Sequence, residues 1–269
     1  MAAAIPALVA IDFDGTLLRS DGTVSDRTTA AVRAVTRAGV RVMVVTGRPP
    51  RWLAPIAELL DHRGTAIAAN GALVVDLTTG DVVATNPIDV PVAHRIVELV
   101  RDLFPDAALG VERPDGFAHE PRYPRGIRAS ERMPVVAHAD TVEQLLAEPP
   151  IKILVRVGDL DIDDAAALAA EELDGVASVY YSGSDLLEIA AAGVSKASTL
   201  ERVAGQWSIP AEAVLAFGDM PNDIPMLTWA GRAVAVANAH PAVHAVADEV
   251  TWSNDEDGVA AVLEGFLAP

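Results

Sequence analysis

Two aspartates, Asp12 and Asp14, stand two residues apart and are followed at once by Gly15 and Thr16. A carboxylate is ionised at neutral pH and can attack phosphorus, forming an acyl-phosphate that water later cleaves. A second carboxylate beside it can protonate the leaving oxygen and then deprotonate the incoming water. Asp12 suits the first task and Asp14 the second. Along an extended chain such a pair returns to the same side, so both carboxylates are expected to face one point. Gly15 lets the chain turn tightly and bring N–H groups up to an anion. The ordinary alternative is a strand followed by an Asx-type turn, which a lone Asp-Gly pair commonly makes.

Three more polar signals end apolar runs or open helices. Thr46-Gly47-Arg48 follows Val40 to Val45, Lys196 follows a helix-capping serine, and Gly218-Asp219-Met220-Pro221-Asn222-Asp223 follows Val214 to Phe217. Asp12, Asp219 and a main-chain carbonyl near Asp14 offer an all-oxygen set to Mg2+, which needs few protein ligands. Such an ion offsets the repulsion between an anionic nucleophile and an anionic substrate. Thr46 can hydrogen-bond a phosphoryl oxygen, and Lys196 can balance both the phosphate and Asp12. Taken singly, each has a bland reading. Thr46-Gly47-Arg48 makes a strand-to-helix turn, Lys196 a solvated first-turn lysine, and Asp223 a first-turn acid favoured by the helix dipole.

These side chains need elements to place them. Leu8 to Ile11 is a continuous apolar run, the pattern of a strand buried on both faces, and α/β folds hold their ligands at the ends of such strands. Ser25 as N-cap, an apolar face at Ala31, Val32, Val35 and Ala38, and Gly39 as a stop predict a helix. Pro49-Pro50 opens another, to about Leu60. The strand Ala66 to Ala69 ends in Asn70-Gly71-Ala72, and a hairpin follows. From about Asn86 the pattern changes. The helix Val92 to Phe104, the strands Ile151 to Val157 and Val176 to Tyr181, and the helix Asp163 to Leu173 lack the earlier carboxylate and threonine signals. Residues 1–85 and 187–269 are therefore expected to form one α/β unit, with residues 86–186 inserted as a smaller α/β layer. His119 and His138 stand alone in the sequence and read as surface groups.

Arg113, Arg122, Arg125, Arg128 and Arg132 crowd a proline- and glycine-broken stretch of an otherwise acidic chain. Arginine forks suit phosphate, carboxylate or sugar hydroxyls. One or two of them are expected to face the site and read the substrate beyond its phosphate, the alternative being solvated salt bridges.

The 269 residues carry 20 Lys and Arg against 38 Asp and Glu, a net charge of -18. That surface repels nucleic-acid backbones and anionic lipid, so neither is an expected partner. The absence of cysteine excludes disulfides, thiolate metal sites and thiol catalysis. The opening residues lack the basic region of a signal peptide and no run reaches transmembrane length, so a cytoplasmic location is expected.

Jointly, Asp12-Phe13-Asp14-Gly15-Thr16, Thr46-Gly47-Arg48, Lys196 and Gly218-Asp219-x-x-Asn222-Asp223 resemble the four motifs of the haloacid dehalogenase (HAD) superfamily of phosphatases. Asn70-Gly71-Ala72, Gly193-Val194-Ser195-Lys196 and the segment from Ser253 to Ala260 are similar to its Cof-type branch. The resemblance implies a Rossmann-like parallel-sheet core with a mobile α/β cap inserted between the second and third motifs. It also implies Mg2+-dependent hydrolysis of small phosphate monoesters, often sugar phosphates. By it, Asp12 is the nucleophile, Asp14 the acid/base, and Asp12, Asp14 and Asp219 the metal ligands. Thr46, Gly47, Lys196 and Asn222 hold the phosphate, with Asp223, Arg48 and Asn70 in support. Ala197 and Ala237 depart from the family pattern, both outside the catalytic positions. Two other readings stand beside a phosphatase acting on a small phosphorylated metabolite. Phosphomannomutases share the aspartate pair, and receiver domains combine an aspartate acceptor, a threonine and a lysine without being enzymes. Asp14 argues against such a switch, which needs a long-lived acyl-phosphate.

Overall fold

The computed structural model describes residues 5–61, 63–123, 136–181 and 185–267. The chain enters on β1 (Leu8–Ile11), whose four residues are all fully buried, as a run apolar on both faces requires. Ser25 caps α1 (Asp26–Arg37) by accepting from the Thr28 N–H at 3.0 Å. The chain then passes through β2 (Arg41–Val45), the short helix α2 (Ala54–Leu59) and β3 (Thr65–Ala68) to the hairpin of β4 (Leu73–Asp76) and β5 (Val82–Thr85).

There it leaves the first sheet. The helix α3 (Val90–Leu103) leads to β6 (Ala108–Arg113), β7 (Gly116–His119) and β8 (Val136–His138). The helix α4 (Val142–Leu145), β9 (Lys152–Arg156), α5 (Ile162–Glu172), β10 (Ala177–Tyr181) and β11 (Leu186–Ala191) complete this second layer. The return runs through α6 (Lys196–Gln206) to β12 (Val214–Gly218), α7 (Ile224–Trp229), β13 (Arg232–Ala235), α8 (Pro241–His244), β14 (Glu249–Val250) and α9 (Gly258–Gly265).

The first sheet has the order β14-β13-β12-β1-β2-β3-β4-β5. Neighbours from β14 to β3 run parallel, and the hairpin adds two antiparallel strands at the edge. The fold is thus mixed α/β around a parallel-sheet core. The chain winds outward from β1 to β2 and β3 on one side, and from β12 to β13 and β14 on the other. The crevice at that reversal, outside the carboxyl ends of β1, β2 and β12, is where open sheets of this kind bind ligands.

The second sheet has the order β10-β11-β9-β6-β7-β8 and is antiparallel except for the β7–β8 pair. Its two faces differ. Leu109, Val111, Ile153, Val155, Leu187 and Ile189 pack with α3 and α5 into an apolar core. The alternate positions, among them Glu112, Lys152 and Glu188, point the other way.

Two expectations change. The strand from Leu186 was expected to open the return to the first unit at residue 187, but it lies between β9 and β10 in the second sheet. Apart from Glu188 it is an apolar run, and such a run does not say which sheet it will join. His119 is not on the surface. It is buried among Phe117 and Tyr123, edge-on to His138 with ring centroids 4.7 Å apart.

Candidate active site

Asp12 leaves β1 only 4% exposed, Thr46 leaves β2 fully buried, and Asp219 follows β12 at 6%. Lys196 opens α6. Its placement depends on a reciprocal cap, in which Ser195 Oγ accepts from the Ser198 N–H and Ser198 Oγ from the Ser195 N–H, both at 2.9 Å. The turn after β3 backs this cap. Gly71 has φ +100°, and a Cβ there would lie 2.1 Å from the Ser195 carbonyl oxygen. Its own carbonyl accepts from the Thr199 hydroxyl at 2.8 Å. Ala69 and Asn70 also take left-handed φ of 51° and 56°, a strained run that tertiary contacts must hold.

The Lys196 ammonium donates to Asp12 Oδ1 and to Asp223 Oδ1, each at 2.6 Å. Burial works against its charge, but the two carboxylates outweigh burial and raise its pKa. Asp223 Oδ2 meanwhile accepts from the Asp219 and Met220 N–H groups at 3.0 Å. Asp219 Oδ1 accepts from the Thr16 hydroxyl at 2.9 Å, and its Oδ2 fills the space a Cβ on Gly15 would need, at 2.3 Å. Gly15, at φ +82°, is thus required both by its turn and by Asp219.

One carboxylate oxygen from each of Asp12, Asp219 and Asp223 lies within 4.8 Å of the others, all buried. Burial pushes Asp12 well above the usual carboxylate range. Lys196 pulls it back, and Asp223, Asp219 and Asp14 push it further. Burial, then Asp223, raises Asp219 to about 7. Three carboxylates facing one ammonium leave the cluster short of positive charge, and its hard oxygen donors fit a divalent cation. Both oxygens of Asp223 already accept hydrogen bonds, which leaves Asp12 and Asp219 better placed to ligate.

Asp14 is elsewhere. Its side chain is 52% exposed and paired with Arg48, and its carboxylate is outside the cluster that Asp223 joins. The expectation that both aspartates face one point rested on extended backbone, but the strand stops at Ile11. From Phe13 the chain turns, with Asp14 bridged to Leu18.

Thr46 Oγ1 accepts from the Arg48 N–H at 3.0 Å. Asn222 gives its amide N–H to Asn70 Oδ1 at 3.1 Å, while its Oδ1 is buried without a partner among the described residues. Asn70 in turn donates to Glu188 at 2.8 Å.

Of the expected arginine readers, Arg113 and Arg122 do not reach this cluster. Arg113 donates to the Leu145 carbonyl, and Arg122 to Glu120 and the Pro105 carbonyl, all within the inserted layer. Arg125, Arg128 and Arg132 lie outside the described residues. Other residues of the second sheet cross instead. Glu112 receives both terminal nitrogens of Arg51, at 2.5 and 2.7 Å, and Lys152 and Glu188 reach Gly47 and Asn70. The sequence carried a signal for Glu188, a lone charge inside an otherwise apolar strand that needs a buried partner. A second group, drawn partly from the Ser253 to Ala260 segment, supports the Asp12–Gly15 turn. Asn238 donates to the Gly15 carbonyl, Asn254 to the Leu18 carbonyl, and Asp257 gathers Arg19, Ser25 and Thr28.

Comparison with known proteins is consistent across sequence and structure. The family model for haloacid dehalogenase-like hydrolases matches residues 9–263. The chain is 28% identical to the 5-amino-6-(5-phospho-D-ribitylamino)uracil phosphatase YitU of Bacillus subtilis, over 98% of each chain. It is 30% identical to the pyridoxal phosphate phosphatase YbhA of Escherichia coli, over 97% of this chain and 98% of that one. Among solved structures, a phosphatase of the haloalkanoate (HAD) enzyme superfamily from Bacteroides thetaiotaomicron superposes with a TM-score of 0.82 at 27% identity, covering 97% and 95% of the two chains. No helix among the described residues is long and apolar enough to cross a membrane.

Proposed function

The chain belongs to the haloacid dehalogenase-like hydrolases and is a phosphatase of their Cof-type branch, and on that footing we propose that it hydrolyses small phosphate monoesters with Mg2+ through an aspartyl-phosphate on Asp12. One observation carries the reading. Asp12 is buried at the switch point of the sheet, with Lys196 2.6 Å from one oxygen and Asp219 beside it.

In the first half-reaction a carboxylate oxygen of Asp12 forms a bond to phosphorus as the bond from phosphorus to the leaving oxygen breaks. Asp14, at the exposed rim, supplies the proton that the leaving oxygen takes up. In the second, Asp14 takes a proton from water, the water oxygen attacks phosphorus, and inorganic phosphate leaves Asp12 free. Thr46, Lys196, the Gly47 N–H and Asn222 hold the phosphoryl oxygens, and Asn222 Oδ1, without a partner among the described residues, is open to a hydroxyl or a water. Asp12 and Asp219 would hold Mg2+, with the main chain near Asp14. When bound, the ion offsets the charge of nucleophile and phosphate and draws phosphoryl charge in the transition state.

The substrate is a small phosphorylated metabolite, a sugar phosphate or one of similar size. YitU and YbhA, by their names, act on a phosphorylated ribitylaminouracil and on pyridoxal phosphate, two unlike leaving groups on the same phosphate. The acidic surface disfavours polyanions. The named relatives are phosphatases, which does not favour a mutase.

The test is phosphate release from a panel of sugar, nucleotide and cofactor monophosphates with Mg2+, for wild type and Asp12→Asn. Wild type should turn over at least one monoester, and Asp12→Asn should keep less than about a hundredth of its kcat, a loss above about 2.7 kcal/mol. A variant retaining more removes the covalent role of Asp12.

A further inference from the structure

Lys152 and Glu188 form an ion pair on the face of the second sheet that meets the first, with Nζ 2.5 Å from Glu188 Oε2 and both residues buried. Each also reaches across. Lys152 Nζ donates to the Gly47 carbonyl at 2.9 Å, and Glu188 Oε2 accepts from Asn70 Nδ2 at 2.8 Å. A buried pair is a costly way to join two layers, since apolar residues of similar volume often hold as well or better.

Where Lys152 ends is more informative. The peptide whose carbonyl it binds carries the Arg48 N–H at its other end, and that N–H donates to Thr46 Oγ1 at 3.0 Å. A peptide unit is planar, so fixing its carbonyl fixes the direction of its N–H. A charge-assisted bond to the carbonyl also polarises the N–H that follows. With its oxygen receiving that bond, the Thr46 hydroxyl keeps its proton to give to a phosphoryl oxygen.

We propose that Lys152 is a positioning residue of the inserted layer. It acts on the transferring phosphoryl group through the Gly47–Arg48 peptide and Thr46, and Glu188 anchors it there. Seating the second layer on the first thereby completes the phosphate site. The inference rests on the reading of Thr46 as a phosphate ligand.

A double-mutant cycle separates the two. Phosphate release from p-nitrophenyl phosphate and from the fastest metabolite of the panel is measured for wild type, Lys152→Met, Thr46→Val and the double variant, beside thermal melts. Each single change should lower kcat/KM about ten- to a hundredfold, equally for both substrates, because the effect lies at the phosphoryl group. The double variant should stay within about threefold of the worse single one, since both act along one path. A double loss equal to the product of the single losses, or a Lys152→Met loss confined to one leaving group, overturns the inference and leaves the Thr46 reading standing. Thr46→Val without loss overturns both. If Lys152→Met does not fold, Glu188→Gln replaces it in the cycle. It keeps an acceptor for Asn70 and removes the charge that anchors Lys152, with the same outcomes decisive.

Discussion

Arg48 grips both carboxylate oxygens of Asp14, Nε at 2.8 Å from one and Nη2 at 2.7 Å from the other, with its guanidinium 4.7 Å from the centre of the Phe13 ring. That fork parts two aspartates that are neighbours in sequence. Asp12 is closed in with Lys196, whereas Asp14 is held at the rim, where a leaving group departs and water arrives.

The first prediction follows from that rim position. Asp14→Asn should lower kcat on alkyl phosphates by about a hundred- to ten-thousandfold, the usual worth of a general acid/base. The loss should be smaller for p-nitrophenyl phosphate in the first half-reaction, because nitrophenolate leaves without a proton. Single-turnover kinetics on both substrates check this, and equal losses would remove the acid role.

Lys196 is the cation that neutralises Asp12 and Asp223 in the described cluster. Lys196→Met leaves two buried carboxylates without it and should cost about 3–5 kcal/mol in metal-free buffer at pH 8. The cost should be smaller at pH 5 than at pH 8, because burial raises Asp12 and so favours its neutral form as pH falls. Denaturant midpoints at the two pH values provide the measurement. A variant as stable as wild type at pH 8 would mean that the carboxylates do not need their cation.

Metal-free stability should fall with rising pH over a defined window. Asp219 titrates near 7 in the folded chain, against about 4 for an exposed aspartate. Between those values the folded chain holds a proton that the unfolded chain has lost, so stability present at low pH is lost as pH rises from about 4 to about 7. Asp219→Asn should remove the share of that slope that Asp219 supplies and leave the share due to the raised Asp12. Mg2+ at about a hundred times its Kd should return about 2.7 kcal/mol above pH 7 in wild type and little in the variant. Melts in chelator and in Mg2+ across pH would show it, and a curve that rises over this window would reverse the assignment.

Gly71→Ala should separate backbone strain from a clash. Gly80 has a similar left-handed φ of +78° with nothing within 4 Å of a Cβ, so Gly80→Ala reports strain alone, about 1–2 kcal/mol. Gly71→Ala adds a contact at 2.1 Å with the Ser195 carbonyl. It should lose more stability than Gly80→Ala and, by displacing the start of α6 and Lys196, activity as well. Equal melting shifts and unchanged kcat would mean that the 69–71 turn does not hold the cap of α6.

The chemistry of the site was legible because its carriers are local. Asp12, Thr46 and Asp219 each follow an apolar run at once, and a strand that stops in polar residues announces its own end. Ser195 and Ser198 cap α6 across three positions, and Gly15 and Gly71 mark turns. The Asp12–Asp14 spacing was legible as a pair but not as a geometry, since period two holds only while the strand lasts.

Which residues could do the chemistry, and which elements would end in them, follows from the chain's local order, because burial pattern, caps and turns act over a few residues. It took the folded chain to bring Asp223 into the carboxylate cluster and Asp14 to Arg48, to pair Leu186–Ala191 in the second sheet, and to send Lys152 and Glu188 across where Arg113 and Arg122 stay within the inserted layer. Lys152 meets Gly47 from 105 positions away and Glu188 meets Asn70 from 118. Which strands neighbour one another, and which face of each turns inward, is set by packing summed over the whole sheet, and a slip of one residue reverses every side chain on a strand.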